Sequence, residues 1–481
     1  MSRQTVQSEV SFTPRRGFAA RVVYETLGRT GARLGMAWIS LLVALAVAAP
    51  IIASSHPILV NIDGELTSPM LEHLTATDVT LIVGVLAALV LWPIRRFRHC
   101  RWLWIGGVAV TATVSWLTVT PPEAVVYSKY REAIDQGRVR FVLHTLVPYS
   151  PSDRLRDART DTRTLGPGLH PTAQAITRAV DDVARDGIKR QFEEEVPEPF
   201  MRAAVDPLVA NAFAAARRVR AGNAAINDLG RFDPDIDAAT PSTEMIAIAM
   251  TQPRTRRHWM GTTINGEDLL SRMIHASRIA LSIGFIATGI AVGVGVIIGG
   301  LMGYFSGWID LLGMRLVEVF AAVPTIFLLI AIVAFYGRNL YLMMIVIGLT
   351  SWVGYALFVR AEFLRLRRQD FVQAAVACGL PLWSVLFRHM LPNGVTPVLV
   401  NASFGVAAAI LTESTLSFLG LGLVEEPSWG QMLNQALRGG FHWWIALFPG
   451  MAIFLTVFGY NMVGEALRDA IDPHLKRASQ L

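Results

Sequence analysis

Apolar positions along this chain gather in long unbroken runs, not in the short alternations or helical stripes of a soluble domain. Runs of spanning length occur at 35–54, 79–94, 102–120, 279–303, 312–335, 341–360, 394–416 and 444–464. About 20 helical residues cross the hydrocarbon core of a bilayer. In such continuous runs only a helix satisfies its own backbone polar groups. The pattern predicts an all-α, polytopic membrane protein with about eight transmembrane helices. The shortest run, 79–94, ends in Trp92 and two arginines, which suit an interface. The first run begins near Gly35 behind a polar stretch, and it is too long for the core of a cleavable signal.

Composition supports lipid exposure. Hydrophobic residues make up 53% of the chain and charged residues 17%, with a mean hydropathy of +0.43. A soluble domain carries about 25% charged residues. The net charge of +6 does not point to nucleic acid, because the arginines cluster beside the apolar runs. Arg3, Arg15, Arg16, Arg21, Arg29 and Arg33 precede the first run, and Arg95, Arg96, Arg98 and Arg101 follow the second. Arg360, Arg365, Arg367, Arg368 and Arg388 flank or fill the loop at 361–393. The alternate loops hold no lysine or arginine (55–78) or one (Arg338, Arg438). Eight crossings put all the basic loops on one side. The positive-inside rule then places both termini in the cytoplasm and 121–278 outside. Cys100 and Cys378 fall on the cytoplasmic side and are expected to be reduced, small, semi-buried residues. Within the outer region, 171–195 and 199–221 read as helical, with Val205, Leu208, Val209 and Ala212 on one face, and 222–258 reads as loop.

Catalytic signatures do not emerge. There is no G-x-x-x-x-G-K-[ST], H-E-x-x-H or G-x-S-x-G, and no two histidines share a metal-ligand spacing on one helix face. The expectation is no catalytic residue, no metal site and no cofactor. Gly293, Gly295, Gly299 and Gly300 lie inside a spanning run and read as a helix-packing seam. Glu318 and Glu413 lie in or at the ends of spanning runs, where carboxylates usually face a cavity or a partner. Glu318, ahead of a bend expected at Pro324, is either a pathway or gating group or the i, i+3 partner of Arg315. Glu413 is a candidate for holding an outer gate region together. Arg272 and Arg278 are read as interfacial anchors.

The 361–393 loop, AEFLRLRRQDFVQAAVACGLPLWSVLFRHMLPN, is the most informative segment. Its basic first half favours a helix, Gly379 ends it, and Pro381 suits the first turn of another. That second helix carries Leu382, Val385, Leu386 and Met390 and is expected to stop at Pro392. On physical grounds it is either an amphipathic loop on the lipid surface or a knob that enters a groove on a cytoplasmic partner.

The order Gln373, Ala374, Ala375, then Gly379, then Leu391, Pro392 and Asn393 resembles the coupling loop of ABC-importer permeases. That pattern reads E-A-A, three residues, Gly, then hydrophobic-Pro-Asn, and Gln373 departs from it. Residues 258–285, ESTLSFLGLGL at 413–423 and GEALRDAIDPH at 464–474 are similar to segments of dipeptide/oligopeptide importer permeases of the C type. Thr263 stands where that family usually has Asp. HPILVNIDGELTSPML at 56–71 resembles the microcin C/oligopeptide subgroup. The resemblance implies a type I importer permease core at 258–481, five helices with the coupling loop at 361–393. It implies a cytoplasmic N-terminus and first helix at 1–54, and a loop plus an inserted helix pair at 55–120. An inserted extracytoplasmic region occupies 121–257. Leu386, Arg388 and His389 join the coupling residues, and Glu318, Pro324 and Glu413 the pathway or gate. The implied setting is a bacterial inner membrane, and the implied cargo peptides or peptide-like compounds. The implied partners are a second homologous permease, one or two ABC ATPase subunits holding ATP and Mg, and an extracytoplasmic solute-binding protein. A stand-alone secondary transporter or channel and a membrane-anchored scaffold are the rival readings.

Overall fold

The computed structural model describes residues 18–91, 101–119, 127, 129, 130, 133, 138–154, 258–423, 426–438 and 442–471. The expected helices at 171–195 and 199–221 and the loop at 222–258, apart from His258 itself, lie outside them. So do Trp92, Cys100, Arg95, Arg96 and Arg98. The described chain starts with α1 (Phe18–Gly28) and α2 (Thr30–Ile52). β1 (Leu59–Ile62), β2 (Glu65–Thr67), α3 (Pro69–Glu72), α4 (Ala76–Leu91), α5 (Arg101–Thr118) and β3 (Val139–Leu143) follow. Then come α6 (Leu269–Phe305), α7 (Gly307–Ala322), α8 (Thr325–Tyr336), α9 (Leu340–Leu366) and α10 (Asp370–Ala377). A π-helical turn (Ser384–Met390) leads into α11 (Leu391–Phe418), α12 (Trp429–Arg438) and α13 (Trp443–Ile471).

Among the described residues, five helices are long and apolar enough to span a membrane: α2, α6, α9, the 397–418 part of α11, and α13. A sixth span results if α7 and α8 are taken together. The expected 312–335 span is thus two helices inclined at 73°. Pro324 lies at the break, where a ring without an N–H cannot continue the helical ladder. The helix pair expected at 79–120 coincides with α4 and α5, of 16 and 18 residues, but neither is among the five. Among the described residues, length and apolarity thus give five or six of the eight expected spans.

One compact unit comprises Leu42–Ser282 and Glu413–Ala452. It holds a small antiparallel sheet in the order β2-β1-β3, an exception to the all-helical expectation. Asp63 and Gly64, at φ 54° and 99°, form the two-residue turn between β1 and β2. Asp-Gly is the pairing such a positive-φ hairpin turn favours. The segment after β3 is sewn to the end of α2. Val147 N donates to the Ile52 carbonyl at 2.8 Å, and Ser150 N donates to Ser55 Oγ at 2.7 Å. Ala49, Ala53, Val147, Tyr149 and Ile274 form the apolar cluster beneath.

The second unit comprises Met1–Leu41, Ile283–Thr412 and Ile453–Leu481. Its organising contact is the crossing of α6 and α9. A Cβ on Gly295 would lie 2.5 Å from Tyr355 Cβ, and one on Gly299 2.3 Å from the Ala356 carbonyl. One on Gly303 would lie 2.6 Å from the Arg360 carbonyl. Spaced by four, these glycines form a seam that lets two backbones touch. Gly293, also expected in the seam, faces open space. Met302, Val317, Trp352 and Ala356 pack beside it, and the Arg360 guanidinium grips the Asp310 carboxylate with two bonds, of 2.5 and 2.7 Å. Asp310 sits in the first turn of α7, where a carboxylate suits the helix dipole.

Gly299→Val should destabilise the chain by about 2 kcal/mol through overpacking, while Gly293→Val should be close to neutral. Thermal unfolding of the detergent-solubilised variants tests the contrast.

Candidate functional site

The loop at 361–393 is built on the end of α9, which runs six residues past the expected end of its span, to Leu366. α10 carries Gln373 and Ala374 on its exposed side and Val372 and Ala375 on its buried side. Gly379 ends it at φ 74°. The N–H of Leu380 bonds the Ala375 carbonyl at 3.2 Å, and that of Gly379 bonds Val376 at 2.9 Å. This is a Schellman closure, which requires a left-handed residue at the glycine position.

The second half of the loop differs from expectation in two ways. Pro392 does not stop the helix, because the turn before it is π-helical. The Leu391 N–H bonds the Leu386 carbonyl five residues back, and α11 continues to Phe418. Widening the ladder by one residue relieves the conflict between the proline ring and the preceding turn. Asn393 Nδ2 donates to the His389 carbonyl at 2.7 Å, and the helix passes on with Pro392 exposed.

The apolar side chains also point differently. Val385, Leu386 and Met390 are buried against Tyr355, Val359, Phe363 and Val398 of this same chain, so Leu386 cannot serve as an outward contact. Leu391 and His389 are half-buried, and Arg388 is exposed. The outward apolar surface consists of Phe371, Val376, Leu380, Leu382 and Trp383. Trp383 is 71% exposed, with its ring 3.9 Å from that of Phe387. The sequence reading missed this tryptophan. The signal for it was the residue's place two positions after Pro381, at the start of the second helix. Cys378 is exposed, not semi-buried.

The carboxylates resolve differently from one another. Glu318 is exposed and its Oε2 accepts from Arg315 Nη1 at 2.5 Å, the i, i+3 pair that the spacing allowed. Glu413 is 1% exposed and accepts a hydrogen bond of 2.6 Å from Ser417, a longer one of 3.3 Å from Ser414, and one from Ser428. Ser428 directly precedes α12. Across from it, a Cβ on Gly430 would lie 2.1 Å from the Ser414 carbonyl, so α12 crosses α11 with backbones in contact.

Arg272 and Arg278 are not interfacial anchors, because both guanidinium groups are committed to partners inside the protein. Arg272 is 4% exposed. Its Nη1 donates to Glu267 at 2.7 Å and to the Pro151 carbonyl at 3.1 Å, and its Nη2 donates to Gln431 at 2.8 Å. Glu267 also accepts from Arg154 at 3.2 Å and from the Thr263 hydroxyl at 3.1 Å. That hydroxyl in turn accepts from the N–H groups of Asn265 and Glu267. Thr263 therefore still caps the turn in place of an aspartate, without setting a second carboxylate against Glu267. Beside it Asp268 caps α6 through Ser271 N at 2.8 Å and bonds His258 Nδ1 at 2.7 Å. Tyr149 stacks on the His258 ring at 4.3 Å. The 149–154 segment, the start of α6 and α12 thus meet at one polar node. Arg278 pairs with Asp78.

Arg272→Met should lower stability by about 3 kcal/mol by stripping Glu267 of its buried partner. Exposed Arg315→Met should cost less than about 1 kcal/mol. Thermal unfolding of the two variants side by side measures the difference.

Residues 295–477 match the family model for the binding-protein-dependent transport system inner membrane component. The dipeptide transport permease DppC of Alkalihalophilus pseudofirmus is 38% identical over 240 residues, 48% of this chain and 78% of that protein. The oligopeptide transport permease OppC of Haemophilus influenzae is 41% identical over 219 residues, 45% of this chain and 70% of its own. The glutathione transport permease GsiD of Pectobacterium atrosepticum is 38% identical over 223 residues, covering 46% and 73% respectively. A solved chain of the inward-facing methionine ABC transporter MetNI aligns with 42% of this chain at 18% identity and a TM-score of 0.35. The sequence relatives, each covered over more than two thirds of its length, carry the assignment. This chain belongs to the family of peptide ABC-importer permeases, the binding-protein-dependent transport inner membrane components.

Proposed function

We propose that this chain forms half of a translocation pathway for peptides or peptide-like compounds in a bacterial inner membrane, with a second, homologous permease as the other half. ATP and Mg are held by one or two cytoplasmic ATPase subunits, and an extracytoplasmic solute-binding protein delivers the cargo. Both termini and the 361–393 loop lie in the cytoplasm, on the side marked by the arginine clusters. The observation that carries this reading is the outward face of the loop. The turn that follows the helix capped at Gly379 presents Leu380, Leu382 and Trp383, while the inner face of that helix is part of the chain's own core. A knob packed rigidly on α9 and continuous with α11 transmits a push instead of absorbing it. Closure of an ATPase dimer around nucleotide would tilt the knob and, with it, two spanning helices.

In this proposal the bend at Pro324 belongs to a pathway helix and the buried Glu413 to an outer gate. The match to permeases of dipeptide, oligopeptide and glutathione systems supports the cargo class.

Trp383→Ala should weaken docking of the ATPase by about 2 kcal/mol, the effect of removing an aromatic anchor. Gly379→Ala forces a side chain into the left-handed region and should cost about 1 kcal/mol locally. In proteoliposomes holding both permeases and the ATPases, Trp383→Ala should lower peptide uptake more than basal ATP hydrolysis. Unchanged uptake with Trp383→Ala would remove the loop from the coupling path.

A further inference from the structure

Pro50 lies inside α2 and has no N–H, so the carbonyl of Ala46, four residues earlier, loses its helical donor. Within a bilayer no water replaces it. Arg278 Nε, from α6, donates to that carbonyl at 3.2 Å. The same guanidinium brings a charge among spanning helices, which is costly unless a counter-charge is supplied. Asp78 supplies it: one carboxylate oxygen pairs with Arg278 Nη1.

Asp78 is itself held in place. Its other oxygen accepts from Thr75 N at 2.8 Å and from Thr75 Oγ1 at 2.7 Å, and Thr75 Oγ1 accepts from Asp78 N at 3.3 Å. This reciprocal cap starts α4. Asp78 is buried, and α4 packs along α5. The partially exposed guanidinium therefore joins three elements, each of which lacks something the others provide. α2 lacks a donor, α6 lacks a counter-ion, and α4 lacks any other charged tie to the core among the described residues.

We propose that the inserted pair α4–α5 is an internal brace of this chain, in which Asp78 neutralises the arginine that closes the Pro50 gap in the first span. Neither the transport reading nor its partners enter the argument.

The order of rescue tests it. Thermal midpoints of the full chain in lipid nanodiscs are compared across a short series. Asp78→Ala should lower the midpoint by several degrees, because Arg278 is left without its counter-ion. Adding Arg278→Met should recover part of that loss, because the uncompensated charge is gone. Adding Pro50→Ala should recover most of the remainder, because residue 50 then supplies the donor for Ala46. Arg138→Ala, which breaks an exposed pair with Asp63, should leave the midpoint unchanged. If a single variant fails to accumulate in membranes, accumulation becomes the readout, and recovery in the triple variant supports the brace. An unchanged midpoint with Asp78→Ala overturns the proposal. So do losses from Asp78→Ala and Arg278→Met that simply add, or a triple variant no better than the single.

Discussion

A backbone amide or carbonyl in a bilayer has no water to bond, so each interruption of a spanning helix must be repaired by some other group. Three prolines show three repairs. At Pro50 the freed carbonyl is met by an arginine from another helix. At Pro324 the chain gives up continuity and resumes as a second helix inclined at 73°. At Pro392, outside the spanning part of α11, the preceding turn widens to a π-helix, and the ladder carries on into the span. The same residue type yields a clamp, a break and a register shift because the neighbourhoods differ.

Close approach is the second constraint. Lipid tails are as apolar as the side chains they touch, so helices are held by packing and polar contacts more than by expulsion from water. The glycine seam of α6 against α9, and Gly430 against the Ser414 carbonyl, bring backbones into contact. Around these crossings the charged groups are paired: Arg360 with Asp310 in one unit, and Arg272 with Glu267 in the other. The first pair joins residues 50 apart in the sequence, and Arg272 also reaches Gln431, 159 residues away.

If the loop between α9 and α11 couples to an ATPase as proposed, it must be stiff, because a flexible one would dissipate the motion. The Schellman closure at Gly379 and the burial of Val385, Leu386 and Met390 supply that stiffness. The exposed Trp383 is the docking surface in that proposal.

The sequence by itself determined the class of the protein, the places of its main spans, the break at Gly379, the bend at Pro324 and the Arg315–Glu318 pair. Each follows from local chemistry: apolar run length, a residue free to take positive φ, a missing N–H, an i, i+3 spacing. The Asp-Gly hairpin was also legible locally, in NIDGEL, but the all-helical expectation passed over it. Only the tertiary structure decided which face of the loop looks outward. Leu386 and Trp383 are three residues apart on overlapping turns, and their roles depend on what α9 presents to them. It also decided that Arg272 and Arg278 are internal ties. An arginine near a membrane surface reads as an anchor until its acceptors are known, and these acceptors come from residues 46, 78, 151, 267 and 431. Partners so distant along the chain leave no periodic signature, because their meeting is fixed by packing and not by spacing.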